Sequence, residues 1–453
     1  MTGRKKAESI LSRALDALRS AGADQAYARL ETGAGALTRF ANNYIHQNVE
    51  STNTYLSVVA AIGKRLGGAG TNRVDRSGIS AVAQQAAAIA GQAAEDDEFP
   101  GFPTAPAAEA LPEAWDAKTA RLTPLARARF AARAVKRATK RSATASGTVS
   151  NGQGELAVAN TSGAFQYCQV THFGASCTCM ADGAAGSEDV SARCVELARP
   201  AMRSFGRDAV TTAMKSRRLK DAEPGEWTVI LSPRAAATML RFLSYLGFNA
   251  RAHQEGRSCL CGKMGTKVVS EKITLRDDGL SLDGQPFPFD LDGVPRKALK
   301  LIESGVAREL AYDTRTAAKE GVESTGHSYG PLSSGGASPG HLFLEPGDMS
   351  VDEMIASTQK GLFVSRFWYV NVAEPARAVL TGMTRDGLFL ISNGRRRHAV
   401  HNMRFTESIL GALSRVEAVG AETVLVGGGW YGGVISCPAL KIEGFRFSGA
   451  TQF

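Results

Sequence analysis

The chain contains no run of about 18 apolar residues, the length a helix needs to cross the hydrocarbon of a bilayer, so no membrane span is expected. Its start, MTGRKKAESILSRALDALRS, is basic but lacks an apolar h-region, which argues against a secretory signal. Seven cysteines in 453 residues, odd in number and loosely spaced, make no disulfide framework and suit a reducing cytoplasm. Motifs of known chemistry are equally scarce. There is no HExxH, HExxxH or CxxC…CxxC to hold a metal, and no G-x-S-x-G elbow to present a nucleophile. Gly427-Gly428-Gly429 followed by Gly432-Gly433 precedes no helix with a Lys-Ser/Thr pair, so neither a P-loop nor a dinucleotide fingerprint is read there; a mobile loop is expected. No repeat with a period of about 20–50 residues stands out.

What is present is ordinary for a globular protein: 43% hydrophobic and 21% charged residues, over a length that predicts two or three domains. The net charge of +9 permits acidic partners without demanding them. Apolar residues at Ile10, Leu11, Ala14, Leu15 and Leu18 predict an amphipathic helix over 4–20. Residues 25–63 predict a strand meander punctuated by glycines at 63, 67, 68 and 70, and 77–94 a helix. Residues 95–115 carry four prolines and predict an extended connector outside any core. Thr123-Pro124 opens a densely basic helix. Strands are predicted over 147–183, and helices over 187–206 and 208–219. Ser232-Pro233 caps a further helix that Gly247 is expected to close in left-handed conformation. Short strands follow Gly262, among them KVVSEKITL and FPFDLDG, with a hairpin turn at Asp386-Gly387 and helices near 350–361 and 405–419. The fold class is α+β: a mixed strand/helix domain over 1–222, then a β-rich domain over 223–453.

Few residue clusters could carry chemistry. His253 and Glu255 with Cys259-x-Cys261 come nearest to a metal site, and Cys177-x-Cys179 lies near His172 and Cys168. The thiols of each Cys-x-Cys pair are expected on opposite faces of a strand, which favours a structural role. His398-x-x-His401 splits faces likewise. Ser324-Thr325-Gly326-His327 sets hydroxyls beside an imidazole, but neighbours in sequence rarely meet in triad geometry, and a turn is preferred. Basic stripes at 118–141, 203–220 and 395–397 read as solvated faces rather than a nucleic-acid surface, because few aromatics interleave with them. Asp277-Asp278, Asp290-x-Asp292-Gly293 and Asp313 cluster within some 37 residues; turn capping is preferred over acid–base or metal work.

From Glu226 onward one ordered series of segments resembles the TldD/PmbA family, formerly called modulators of DNA gyrase. The series runs GEWTVILSPRAAATML, GRSCLCGKMGTKVVSEKITLRDDG, PFPFDLDGVPRKALKLIESGVARELAYDTRTAAKEGVESTGH, LEPGDMSVDEMIASTQKGLFV, LFLISNGRRRHAVHNMRF and PALKIEGFRFSG. NTSGAF at 160–165 adds a looser match. The resemblance implies an N-terminal domain that mediates pairing and a C-terminal β-rich domain of metallopeptidase type. In the catalytic TldD-type member, His-Glu-x-x-x-His and a later cysteine hold zinc, which activates water with Glu as general base. Aligned backward without gaps from Asp277-Asp278-Gly279, that motif falls on Arg241 to Leu246. Arg241, Phe242 and Leu246 then occupy the places of His, Glu and His, and no histidine lies between 173 and 252. Cys437 falls later than the family's cysteine ligand and is not given that role. The resemblance therefore implies a TldE/PmbA-type subunit with no metal or cofactor of its own, non-catalytic alone. Its expected partner is a TldD-like chain that carries HExxxH and the zinc, and the pair would cleave unstructured peptides or trim peptide precursors. Asp277, Asp278, Asp290, Asp292, Gly293, Asp313, Thr325, Gly326 and His327 are the candidate substrate-binding residues. Two rival readings are an independent enzyme with a metal on His253, Cys259 and Cys261, and a binding protein of gyrase or nucleic acid.

Overall fold

The computed structural model describes residues 1–427 and 433–450; Gly428, Gly429 and Gly432 of the glycine-rich run lie outside them. The N-terminal half is a six-stranded antiparallel sheet of β1 (Gln25–Ala41), β2 (Tyr44–Ile62), β3 (Arg65–Thr71), β4 (Thr144–Asn160), β5 (Phe165–Ala181) and β6 (Ala184–Ala192), ordered β3-β2-β1-β4-β5-β6. One unit, helix–three strands–helix, occurs twice. The first runs from helix Arg4–Ser20 to helix Arg76–Gln92, the second from helix Pro124–Thr139 to helix Val195–Ser204. The units meet where β1 and β4 pair antiparallel. The first hairpin of the first unit turns on Asn42 and Asn43 (φ 50° and 65°), and the second hairpin of the second unit, between β5 and β6, on Asp182 and Gly183 (49° and 80°). That geometry matches the strands' own twist.

The C-terminal half is an eleven-stranded mixed sheet. Its strands are β7 (Gly225–Leu231), β8 (Leu275–Asp277), β9 (Leu299–Glu303), β10 (Val306–Ala307), β11 (His341–Leu344), β12 (Lys360–Glu374), β13 (Val379–Ser392), β14 (Arg395–Ala399), β15 (Met403–Ser408), β16 (Val416–Gly427) and β17 (Val434–Ala450). Helix Pro233–Gly247 packs across it, burying Met239, Leu240 and Leu243 against Val229, Leu231, Leu362 and Leu440. Ser232 caps this helix by accepting the Ala235 N–H, with Pro233 in the first turn. The architecture is α+β.

Several local expectations fail for identifiable reasons. Gly247 is not a left-handed cap: the helix runs through it to Phe248, and a Cβ there would stand 3.1 Å from the Leu260 side chain, a tight approach. Residues 187–192 complete β6 rather than a helix, and 405–419 split into β15, a short helix Ile409–Ser414 and β16. KVVSEKITL and FPFDLDG are mostly irregular, with strand only from Leu275. Asp386-Gly387 is a bulge inside β13, opposite Ser365, that aims the Asp386 carboxylate at Arg366 Nε, 2.6 Å away. Gly67, Gly68 and Gly70 lie within β3 rather than between strands. At Gly67 a Cβ would come 2.2 Å from the Ala86 carbonyl, so glycine lets helix Arg76–Gln92 sit on the strand. Alternate residues of a strand share a face, so Cys177 and Cys179 both enter the core on one side of β5. Cys259 and Cys261 lie in a turn, not a strand.

The proline-rich connector is extended, yet it contributes to a core. Phe99 and Phe102 join Tyr27, Leu156 and Val158 of the first sheet to Phe287 and Phe289 of the second half in one buried cluster. The Gln166 amide donates to the Gly293 carbonyl at 2.9 Å and the Gln285 amide to the Thr171 carbonyl at 2.7 Å. This seam positions the site described next.

The basic helix Pro124–Thr139 is not simply a solvated face. Arg133 and Arg137 donate to the carbonyls of Met202, Arg203 and Phe205, which end helix Val195–Ser204. Arg127 is completely buried and donates to Thr38, Leu122, Asn151 and Glu50. Replacing Arg127 by Ala strands these acceptors and should cost about 3 kcal/mol or more in urea unfolding, with little recovery in Arg127→Lys because an ammonium cannot reproduce the fork.

Candidate functional site

At the seam lies a cavity of about 520 Å³, within the range of small-ligand pockets. Helix Pro233–Gly247 forms one wall through Arg241, Ser244 and Tyr245, which its 3.6-residue period places on one face. The loop after β8 contributes Gln285, Phe287, Leu291 and Arg296; the segment before β11 contributes Ser338 to Gly340, then His341 and Leu342. Val434 and Ile435 of β17 and Val170 of β5 complete much of the lining. Of the three positions aligned with the zinc motif, only Arg241 reaches this cavity. Residues five apart on a regular helix point about 140° apart. Leu246 accordingly turns into the core, and Phe242 packs half-buried against the same core.

These residues do not fit a zinc site. A guanidinium is a permanent cation, and Phe and Leu offer no lone pair to a metal. Among the described residues, no group of three or more His, Cys, Asp or Glu is arranged to hold a metal ion. Of the alternative set, Cys261 donates weakly to the His253 backbone carbonyl (3.6 Å), and burial pushes the Cys259 thiol up to about 11, away from the thiolate a metal needs.

The cavity is cationic on one side. Arg296 stands 5.7 Å over the Phe287 ring, makes no ion pair among the described residues, and has Nε and Nη1 buried without a partner. The His341 ring also stacks on Phe287, 6.4 Å away and 12° from parallel. It is only 8% exposed, and its Nδ1 has no partner. Burial, then the charge of Arg296, pushes the His341 pKa down to about 3, so the imidazole is neutral.

The nine candidate substrate residues do not line this cavity; they build the frame behind it. Thr325 and His327 do meet, contrary to the turn-only reading. Asp277 Oδ1 lies 2.9 Å from His327 Nε2, and His327 Nδ1 lies 2.9 Å from Thr325 Oγ1. The order acid–imidazole–hydroxyl is that of a triad, but the Thr325 hydroxyl is also held by the Tyr312 backbone N–H and carbonyl at 2.8 and 3.1 Å. It is a latch rather than an exposed nucleophile. Asp277 Oδ2 accepts the His341 N–H at 2.7 Å, and the His327 partner holds its carboxyl well below the usual carboxylate range. Asp278 pairs with Arg276 and Asp313 caps helix Thr314–Glu320. Gly293 and Gly326 sit at positive φ, where a Cβ on Gly326 would come 2.3 Å from the Pro295 carbonyl. Asp290 accepts the N–H groups of Asp292, Val294 and Ser328, fixing the loop whose Leu291 enters the cavity. Arg296 and His341 were not singled out by sequence reasoning. The available signal was thin: after Arg276, five aspartates pass before Arg296 appears as the next cation.

Two models of one family match the chain. The "PmbA/TldA metallopeptidase central domain" matches residues 112–217 and the "PmbA/TldA metallopeptidase C-terminal domain" matches residues 224–449. The chain belongs to the PmbA/TldD family. Among curated relatives, a metalloprotease of Methanothermobacter thermautotrophicus is 28% identical over 223 residues, 47% of each chain. A metalloprotease TldD homolog of Buchnera aphidicola is 24% identical, over 54% of this chain and 53% of that one. The chain thus spans about half the length of the curated relatives it matches. In structure it is similar to TldE from Thermococcus kodakarensis, with a TM-score of 0.87 at 19% identity over 97% of this chain and 99% of that one. It is also similar to a Thermotoga maritima protein described as a modulator of a DNA gyrase, with a TM-score of 0.83 at 19% identity over 97% and 100%. Identities this low show a shared fold.

Asp290 and Asp292 are both fully buried, and burial raises both carboxyl pKa values. One oxygen of Asp292 has no partner. For a carboxyl raised on folding, stability is present below its unfolded pKa of about 3.9 and is lost as pH rises through the folded value. Asp292→Asn removes that charge while its amide oxygen can keep the Thr314 hydroxyl. Thermal scans should therefore show a smaller fall in stability between pH 5 and pH 8, by at least about 1 kcal/mol, than in the parent chain.

Proposed function

We propose that this chain is a pairing subunit of a TldD/TldE-type peptidase and that it does not hold the zinc. The carrying observation is the helix Pro233–Gly247, which presents to the cavity Arg241, a permanent cation, at the position aligned with the motif's first histidine. Zinc and the general base would come from a TldD-like partner bearing HExxxH. This chain would contribute peptide-binding surface, with the unstructured peptide lying extended.

The seam supports such a role physically. Two further hollows continue from the cavity. The first shares Gln285 with it and runs between β6 and β16; the second shares Asp189–Ser191, Val424 and Leu425 with the first. Along these hollows β16 is hydrogen-bonded to β17 on one side only among the described residues, and β6 only to β5. An unpaired strand edge offers main-chain N–H and C=O groups that recognise any extended peptide, whatever its side chains. Asp277, Asp278, Asp290, Asp292, Gly293, Asp313, Thr325, Gly326 and His327 would act here by holding the chamber's shape. A cytoplasmic setting suits the free cysteines, and no helix among the described residues is long and apolar enough to cross a membrane.

Purifying the chain alone and with a TldD-like partner, then measuring zinc and peptide cleavage, tests the reading. Chelator-sensitive cleavage is expected only from the pair, with zinc well below one per chain in this subunit alone. Stoichiometric zinc with chelator-sensitive cleavage by this chain alone would refute it.

A further inference from the structure

The cavity beside Arg241 is lined by a guanidinium with unfilled hydrogen-bonding capacity. A buried cation is normally paired, because removing it from water without a partner is costly. Arg296 has two buried guanidinium nitrogens with no hydrogen-bond partner and is in no ion pair among the described residues, although five aspartates precede it within twenty residues. Four of those acids are hydrogen-bonded or paired to other groups, and Arg296 acts on Asp277 and Asp290 only through space. Asp277 is bound to His327 and the His341 backbone, Asp278 to Arg276, Asp290 to three backbone N–H groups and Asp292 to Thr314. His341, more than nine-tenths buried and lining the same cavity, has Nδ1 without a partner. Arg241 adds a second guanidinium to the lining, on the facing helix.

The rest of the lining selects what kind of anion fits. Phe287, Leu291, Leu342, Val434 and Ile435 present apolar surface, and Tyr245 and Tyr329 stand at it with exposed rings. A bare inorganic anion would leave these walls unused. A carboxylate attached to an apolar body satisfies both halves. Its two oxygens match the planar fork of a guanidinium, while its side chain covers the apolar walls.

We propose that this cavity is a binding site for the free C-terminal carboxylate of a peptide whose last residue is apolar, with Arg296 as the principal anion contact and Arg241 as a second. The site would then read a peptide's end in the region where catalytic relatives are expected to hold a metal. The identification of the ligand as peptide rests on the pairing-subunit reading; the unfilled hydrogen-bonding capacity of Arg296 does not.

The test is calorimetric titration of the full chain with an N-acetylated hexapeptide ending in leucine, as the free acid and as the C-terminal amide, and with inorganic phosphate. The free acid should bind at least about tenfold more tightly than the amide, the discrimination expected of a charge-assisted hydrogen bond. Phosphate should be weaker than the free acid, and Arg296→Gln should bring the acid down to the amide. The comparison of acid with amide uses the unaltered chain, so it stands even if the variant fails to fold. Equal binding of acid and amide overturns the proposal, as does phosphate binding as tightly as the acid, or a folded Arg296→Gln chain with undiminished preference for the acid. The two readings fail separately. Selective binding of the acid by a chain that never pairs with a zinc subunit upholds the site and removes the peptidase role. Pairing and cleavage without acid preference removes the site.

Discussion

The Asp277 carboxylate holds together the three segments on which the cavity rests. One oxygen takes His327 and the other takes the backbone N–H of His341, so the end of β8, the 325–328 loop and the start of β11 are fixed to a single buried charge. That charge persists because its partners stabilise it more than burial disfavours it. His327 passes the constraint to Thr325 and so to the Tyr312 backbone at the entry to helix Thr314–Glu320. Everything facing the cavity from this side, including His341, Ser328 and the stacked Phe287, is placed by this clamp and the Asp290 loop beside it.

The second constraint is the aromatic seam. Tyr27, Phe99 and Phe102 meet Phe287 and Phe289 in one buried cluster, and the Tyr27 hydroxyl donates to the Leu291 carbonyl. The loop that carries Arg296 is thereby pinned from both halves of the molecule. A cationic side chain on such a loop cannot swing far to find an internal partner. This is how a guanidinium comes to be held over Phe287 with two nitrogens unsatisfied. Rigid placement of an unpaired polar group is the usual condition for a binding site, since the ligand then supplies the missing partner without reordering the protein.

Much of this was legible in the chain. The α+β class, the helix over Arg4–Ser20, the Thr123 and Ser232 caps and the family followed from periodicity, cap chemistry and the order of segments. What was not legible had physical causes. The bulge at Asp386-Gly387 carries the same residues as a hairpin turn, and only the strand pairing distinguishes them. The duplication of the helix–strand unit is not legible because its period is far longer than that of a solenoid repeat. Arg133 and Arg137 looked like solvent charges because helix ends that need donors are contributed by a segment some 70 residues away. Arg296 and His341 were invisible for a related reason. Being unpaired is a property of the surroundings, and no local pattern announces it.

On the proposed reading this chain supplies the pairing surface and peptide-end pocket, while the metal resides in a TldD-like partner. Anomalous diffraction at the zinc edge, on crystals of this chain in complex with a TldD-like subunit, addresses it directly. The account predicts zinc density bound only by the partner's residues, with none coordinated by this chain at helix Pro233–Gly247. A zinc peak ligated by side chains of this chain would contradict it.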